Sequence, residues 1–343
     1  MPGITIRSVA KECGLSAATV SRVLSGSDYP VKPQTRQVIL DAARRAGYVP
    51  NMLARGLKAK VSNEIAVIIP SIQNPFYTSL VGGIEPVLLD SNYSMSLYLT
   101  DNYVRHIDLL VKNLVGKMIA GVIIASDSII PSISRALHEL KATNGLSVVA
   151  VDYHMMQSEY PGVYFDYFRG AQMATEYLMG KGHSRIAFAF CPMDRETRKA
   201  RWSGIRAAYK GRGKHEMEKD YFESSANTDF YAGVELARAI LKSGGAYTAV
   251  AANNDTVAVG LLYGLAEQRV RVPEEVSVIG FDDCIYAMMC SPALTTIRVP
   301  SQQMGEMAAN MLLGGLGRDV APSNAHLEPQ VIERASVACP AKR

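Results

Sequence analysis

The chain has 343 residues, enough for two or three domains with separate cores. Hydrophobic residues make up 48% of it, but no uninterrupted apolar run approaches the roughly 18 residues of a membrane span, which argues against one. The formal net charge of +4 is unevenly spread: residues 1–60 hold ten lysines and arginines against three acids, and the remainder is slightly acidic.

A basic leading segment on a slightly acidic body is the electrostatic footprint of a nucleic-acid module attached to an effector domain. The five cysteines, Cys13, Cys191, Cys284, Cys290 and Cys339, form no CxxC, and the six histidines supply no metal-ligand spacing around them. Reduced thiols, with no cofactor or metal, are the expectation. The opening residues lack the charged start, apolar stretch and small-residue cleavage site of a secretory signal, so the expected compartment is the cytoplasm.

In chain order, Ile6, Val9 and Ala10 recur at helical spacing, and Gly14 can close that helix in a left-handed conformation. Ser16 is a good N-cap for a second helix whose Val20, Val23 and Leu24 face inward. Its other face carries Ala17, Ala18, Thr19, Ser21 and Arg22, small or hydrogen-bonding side chains with one cation, suited to a DNA major groove. Any helix pair with a glycine turn shares this periodicity; the charge asymmetry favours a DNA reader. A third helix is predicted over 33–46, with Pro33 in its first turn and Gly47 as its stop. Lys32 is a poor cap for it, which predicts fraying. Residues 52–58 could form a turn or two of helix, too short to hold alone and weakened by Gly56.

From Glu64 onward, short β-branched runs alternate with amphipathic stretches. Strands are predicted at 65–69, 95–99, 121–125 and 147–151, with helices at 76–89, 104–115 and 130–141 between them. A second series places strands at 163–165, 185–190, 248–252 and 276–281, and helices at 171–179, 201–209, 233–241 and 255–267. Such alternation predicts two parallel α/β units, each a doubly wound sheet. Two of these commonly face each other across a cleft, with ligands outside the carboxyl ends of the strands. There is no GxGxxG after a strand, P-loop, GxSxG or zinc spacing, which argues against an enzyme. His183, in a turn before a strand, reads as structural. A carbohydrate-binding protein without a transcriptional role is the alternative, and it would need export.

Particular runs carry a resemblance: IRSVA at 6–10, ATVSRVL at 18–24, TR at 35–36, GYVPN at 47–51 and ARGL at 54–57. They continue with PSIQNPFY at 70–77, GKGHSRI at 180–186, ND at 254–255, VP at 272–273, SVIGFDD at 277–283 and PALTTI at 292–297. In this order the chain resembles the lactose/galactose-repressor family of bacterial transcription regulators over nearly its whole length. The resemblance implies a helix-turn-helix headpiece at 1–50, a hinge helix and linker at 51–61, and a two-subdomain doubly wound core like the type I periplasmic binding proteins. The core's first subdomain is expected at 62–162 plus 292–325, and the second at 163–291 plus 326–343. It further implies a homodimer on a pseudo-palindromic double-stranded operator, controlled by a small effector such as a sugar or sugar acid.

By the same resemblance the second helix enters the major groove, and DNA contacts fall to Thr5, Ser16, Ala17, Ala18, Thr19, Ser21, Arg22, Tyr48, Asn51 and Leu57. Leu57 matches a leucine that wedges into the minor groove, where an apolar side chain can unstack a base step; packing against Leu53 is its plainer role. Ser8 stands where relatives commonly have an acid. Effector contacts fall to Arg201, Asn254 and Asp282, with Phe76 and Tyr77 after the first strand and Asp101 and Asp152 after the second and fourth. Arginine and aspartate together suit vicinal hydroxyls, one offering forked donors and the other paired acceptors. Asp255 is assigned to capping its helix, and Asp283 to capping the next. Relatives usually place a stacking aromatic five residues before the glycine matching Gly233. Thr228 stands there in this chain, so Phe76, Tyr153 or Phe230 supplies the stack, or the ligand is not a flat-faced sugar. Arg195 and Arg198 leave room for an acidic ligand, though solvated charges are the plainer reading.

Overall fold

The computed structural model describes residues 4–24, 30–48, 62–100, 107–125, 130–151, 160–191, 193, 195–210, 217–226, 228–317 and 324–341. They fall into two compact units, Met1–Ser62 and Asn63–Arg343.

The first unit holds three helices, α1 (Ile6–Cys13), α2 (Ala17–Leu24) and α3 (Pro33–Ala46). Thr5 and Ser8 cap α1 reciprocally: the Ser8 amide donates to Thr5 Oγ1 at 3.3 Å and the Thr5 amide to Ser8 Oγ at 3.0 Å. Serine thereby takes the place an acid would hold in a capping box. Gly14 ends α1 at φ 64°, and the Leu15 amide turns back to the Ala10 carbonyl. The Thr19 amide donates to Ser16 Oγ at 3.0 Å, starting α2. Val9, Ala10, Val20, Val23, Ile39, Ala42 and Ala43 form the shared core, with Tyr48 packed at its edge. Lys32 makes no side-chain cap, as its residue type predicts, and its carbonyl accepts the Arg36 amide at 3.0 Å as the first bond of α3.

The second unit has two lobes. Lobe one is built from β1 (Glu64–Ile69), α4 (Pro75–Asp90), β2 (Ser94–Leu99), α5 (Ile107–Gly116), β3 (Gly121–Ile124), α6 (Ile130–Asn144), β4 (Ser147–Val151) and β5 (Gly162–Phe165). Lobe two follows with α7 (Tyr167–Gly180), β6 (Ile186–Phe190), α8 (Arg195–Tyr209), β7 (Tyr221–Glu223), α9 (Asp229–Lys242), β8 (Ala249–Ala252), α10 (Asp255–Glu267), β9 (Ser277–Ile279), α11 (Ile285–Met289) and β10 (Thr296–Arg298). The chain then returns to lobe one as α12 (Ser301–Leu316) and β11 (Ala325–Leu327), and ends in lobe two with β12 (Gln330–Ile332). Lobe one's sheet is parallel in the order β11-β5-β4-β3-β1-β2; lobe two's is parallel in the order β7-β6-β8-β9, and β10 pairs antiparallel with β12.

The strands of both series lie where alternation places them; apart from β2, at the edge of its sheet and largely exposed or half-buried, their apolar runs are buried on both faces. Several helices start earlier than predicted. The side chains of Asp166 and Thr228 cap α7 and α9 and so set their starts ahead of the apolar stripe, while α8 opens on the polar run Arg195-Glu196-Thr197-Arg198. No element is predicted for 301–316, yet α12 packs against α4 and the lobe-one strands. On it, Gly305 lies against the Leu80 carbonyl, where no larger residue fits. The lobe boundaries also move. β5 and β11 belong to the lobe-one sheet and β10 to lobe two, so the chain changes lobe after Phe165, Arg298 and Leu327 instead of after 162, 291 and 325. Strand pairing, which local sequence does not encode, sets these points.

Candidate functional site: the outward face of α2 and an interlobe cavity

On α2, Ser16, Ala17, Ala18 and Arg22 are exposed and Thr19 and Ser21 half-buried, so the outward face expected from the sequence is presented to solvent. Thr5 and Ser16 spend part of their hydrogen-bonding capacity as caps; Ser16 Oγ also lies 2.8 Å from Thr19 Oγ1. Tyr48 is half-buried against the headpiece core. Asn51 and Leu57 lie outside the described residues.

In the second unit a cavity of about 500 Å³ opens between the lobes. Ser71, Gln73 and Asn74, in the turn after β1, line it from lobe one. Thr228, Asp229 and Phe230 line it from lobe two, where α9 begins, with Thr256 and Val259 of α10 and Tyr286 of α11. Both walls are strand-to-helix junctions, as the cleft argument requires.

The residues predicted to contact an effector sit mostly behind these walls. Phe76 is buried and meets Tyr77 edge-on, with ring centroids 5.0 Å apart. Asp101 and Asp152 lie outside the described residues. Arg201 is only 6% exposed. Its Nη1 donates to the Asn253 carbonyl, its guanidinium lies 3.8 Å from the Phe281 ring centroid and 4.6 Å from that of Tyr167, and its Nε has no hydrogen-bond partner among the described residues. It lines a much smaller cavity of about 20 Å³ inside lobe two.

Asn254, not Asp255, caps α10: Asn254 Oδ1 accepts the Val257 amide at 2.8 Å, while its Nδ2 donates to Asp229 Oδ2 at 2.7 Å. Asp255 is wholly buried and instead accepts from Thr296 Oγ1 at 2.6 Å and from the Cys284 amide at 2.7 Å. Burial holds its carboxyl well above the usual carboxylate range, against the opposing pull of those two donors. Asp283 does not cap α11 either. It accepts from Arg298 Nε at 2.7 Å and from Arg334 Nη2 at 2.5 Å, tying the β10–β12 ribbon to the end of β9. Asp282 has the unusual φ of 118°; its amide donates to the Ile297 carbonyl and its own carbonyl accepts the Val299 amide, so its backbone joins the lobe crossing.

Asp229 is the residue that sequence reasoning missed. Its Oδ1 accepts from the buried Cys191 thiol at 3.2 Å and its Oδ2 from Asn254. The Asn253 side chain holds that cysteine, accepting the Cys191 amide at 3.1 Å and donating to its sulfur at 3.2 Å. Burial and the adjacent Asp229 push the Cys191 thiol up to about 12, so it is a donor and not a thiolate. An acid in the first turn of a predicted helix was the available signal, but that pattern equally fits a dipole-stabilising surface residue. Thr228, in the slot usually given to an aromatic, caps α9. Of the alternative stacking residues, Phe230 reaches the cavity, Phe76 is buried, and Tyr153 lies outside the described residues.

Residues 5–51 match the family described as bacterial regulatory proteins, lacI family, and residues 175–337 match the periplasmic binding protein-like domain. The ribose operon repressor of Escherichia coli K12 is 30% identical over 97% of this chain and 99% of its own length. Among solved structures, the complex of the transcriptional regulator CelR with cellobiose covers 97% of this chain and all of its own, at 27% identity and a TM-score of 0.69. The lac repressor dimer bound to operator and an anti-inducer covers 98% and 99% at a TM-score of 0.84; at 23% identity it shows the fold alone. With a helix-turn-helix unit and a two-lobed core matched end to end, this chain belongs to the lacI family of DNA-binding transcription regulators.

Proposed function

We propose that the chain is a cytoplasmic repressor that grips a pseudo-palindromic operator as a homodimer and changes its grip when a small sugar or sugar derivative enters the interlobe cavity. The observation that carries this reading is the cavity itself, about 500 Å³ and lined from both lobes, in a chain that begins with a DNA-reading unit. That size suits a small polar ligand. Ligand bridging two lobes favours one lobe arrangement over another, and such a bias is what couples a distant DNA unit to the effector. Dimerisation follows from the need for two half-sites, each giving modest affinity alone.

In this reading Ala17, Ala18, Thr19, Ser21 and Arg22 face the bases, while Thr5, Ser16, Tyr48 and Asn51 set the register and Leu57 wedges the operator centre. Arg22 and Ser21 carry base selection, since Ala17 and Ala18 offer only methyl contacts. Asn254, Asp282, Arg201, Phe76, Tyr77, Asp101 and Asp152 serve the effector, the first as the link that orients Asp229. The described helices include none long and apolar enough to cross a membrane, which accords with work at DNA. The test is fluorescence anisotropy on a labelled duplex selected from a random pool, titrated with candidate sugars. A sugar that melts the protein at higher temperature must also move the duplex affinity. A stabilising sugar with no effect on that affinity contradicts the proposed coupling.

A further inference from the structure

The segment that follows β9 meets the strands joining the lobes at Asp282 and Asp283, which have φ of 118° and 59°. Consecutive non-glycine residues in that region are strained, and such strain persists only where surrounding contacts over-determine it. Backbone bonds hold Asp282 beside the outgoing crossing: its amide donates to the Ile297 carbonyl at 2.8 Å, and its carbonyl accepts the Val299 amide at 3.1 Å. The Asp283 carboxylate grips both crossing strands by charge. Its Oδ2 accepts from Arg298 Nε at 2.7 Å and its Oδ1 from Arg334 Nη2 at 2.5 Å. Arg298 ends β10, where the chain leaves for lobe one, and Arg334 follows β12, on which it returns. Arg334 also donates from Nη1 to the Leu294 carbonyl at 2.8 Å and from its amide to Thr295 Oγ1 at 2.9 Å. The side chains of Asp283 and Arg334 are only 8% and 14% exposed, so removing one partner leaves the other charge poorly solvated.

The same segment is stitched to the cavity wall. The Cys284 amide donates to Asp255 Oδ2 at 2.7 Å, and the Asp255 amide donates to the Phe281 carbonyl at 2.8 Å. These bonds join the first residue of α10 to the start of α11. Both helices line the interlobe cavity, through Thr256, Val259 and Tyr286. Asp283 therefore lies between the wall and the strands that connect the lobes.

Resting on the reading of this cavity as the effector site, we infer that Asp283 is a positioning residue for the coupling. Through Arg298 and Arg334 it fixes where two of the crossings leave lobe two, and so passes occupancy of the α10–α11 wall to the lobe arrangement. A ligand that shifts either helix moves the strained pair with it. The two arginines carry that movement into the crossings, where a loop without them would absorb it. Asp283 needs no contact with the effector to do this.

The test uses the full-length protein and Asp283→Asn, which removes the charge while asparagine still tolerates a positive φ. Hydrogen exchange without sugar is read at the Asp282, Val299 and Arg334 amides, with the β6 amides as reference. Exchange at the crossings is expected to rise at least about tenfold, the worth of a charge-assisted hydrogen bond, with β6 unchanged. Equal acceleration throughout would make Asp283 a general stabiliser and overturn the proposal, as would no acceleration at the crossings. Arg298→Gln breaks the same clamp from a half-exposed side chain and should speed exchange at Val299, which keeps the idea open to refutation where Asp283→Asn does not fold. Neutral pentoses, hexoses and disaccharides are then titrated by calorimetry and against a labelled duplex. For a sugar that changes wild-type duplex affinity by at least about fivefold, Asp283→Asn should still bind it yet lose most of that change. Adding Arg334→Gln should remove little more, since both substitutions break one clamp. A full response retained in Asp283→Asn overturns the coupling role. A wild type that ignores every duplex, or every sugar, defeats the repressor reading instead, while exchange at the crossings still decides the clamp.

Discussion

Asp255 and His183 are buried ionisable groups whose environments push stability in opposite directions with pH. Burial raises the folded-state pKa of Asp255 above its unfolded value, so the native state holds its proton longer. Its relative contribution is fully present below the unfolded pKa and is lost as pH rises through the folded one. Melting temperatures of the wild type and Asp255→Asn, followed from pH 4 to 8, should show the wild type losing ground as pH rises. Equal slopes would mean that Asp255 titrates as an ordinary surface acid. His183 lies 2.9 Å from Thr248 Oγ1 through Nδ1 and 2.9 Å from the Ala338 carbonyl through Nε2. The carbonyl can only accept, so Nε2 carries the proton and Nδ1 accepts from Thr248. Burial lowers its pKa; that contribution is present above the unfolded pKa and lost as pH falls through the folded one. His183→Gln should flatten the acid side of the same profile, and an unchanged acid limb would remove the histidine from this account. The structural role read for His183 from its turn is the one its contacts describe.

At the scale of elements, the two lobes rest on helix pairs that approach closely through glycine. A Cβ on Gly83 of α4 would run into the Gln302 carbonyl of α12, and one on Gly305 of α12 into the Leu80 carbonyl of α4. Gly233 and Gly260 stand in the same reciprocal relation between α9 and α10. Because backbone, not a flexible side chain, fills the space, relief requires a helix to move. Gly305→Ala is expected to cost about 1–3 kcal/mol, the usual range for overpacking, read as a lower urea midpoint for the core at unchanged slope. A neutral result would show that α12 can slide on α4. The small contacts explain why α12 escaped the pattern-based reading: glycine lowers helix propensity locally, and the closeness that compensates exists only once α4 is in place. The headpiece helices were legible for the converse reason, since the caps at Ser16 and Gly14 act within a few residues.

For the whole molecule, the concentration of positive charge in residues 1–60 predicts duplex binding that weakens steeply with salt, through counterion release. Arg22→Ala should weaken the preferred duplex by about 1–3 kcal/mol and relax selection at the base it faces, with less effect on random duplex. Loss of affinity by the same factor on every duplex would make Arg22 a phosphate contact instead. Linkage also demands reciprocity: an effector that changes operator affinity by some factor must itself bind the operator-loaded protein differently by that factor. Calorimetry with and without operator checks this, and unequal factors would mean that more than the two binding equilibria are in play.

The amino-acid sequence alone determined the features whose causes are local: the helix-turn-helix, the alternation of buried strands with amphipathic helices, and the ordered motifs of the family. The tertiary structure decided which residues face the interlobe cavity. Arg201 carries the expected chemistry, but aromatic rings far away in sequence draw it into lobe two. Asn254 takes the capping role expected of Asp255, because the buried Thr296 and the Cys284 amide, 41 and 29 residues away, claim the aspartate. Asp229 gains its place at the wall from Cys191 and Asn254, 38 and 25 residues away. Caps and periodicity are written within a turn or two of chain, whereas burial and hydrogen-bond partners at a cleft depend on contacts that exist only after the strands have paired.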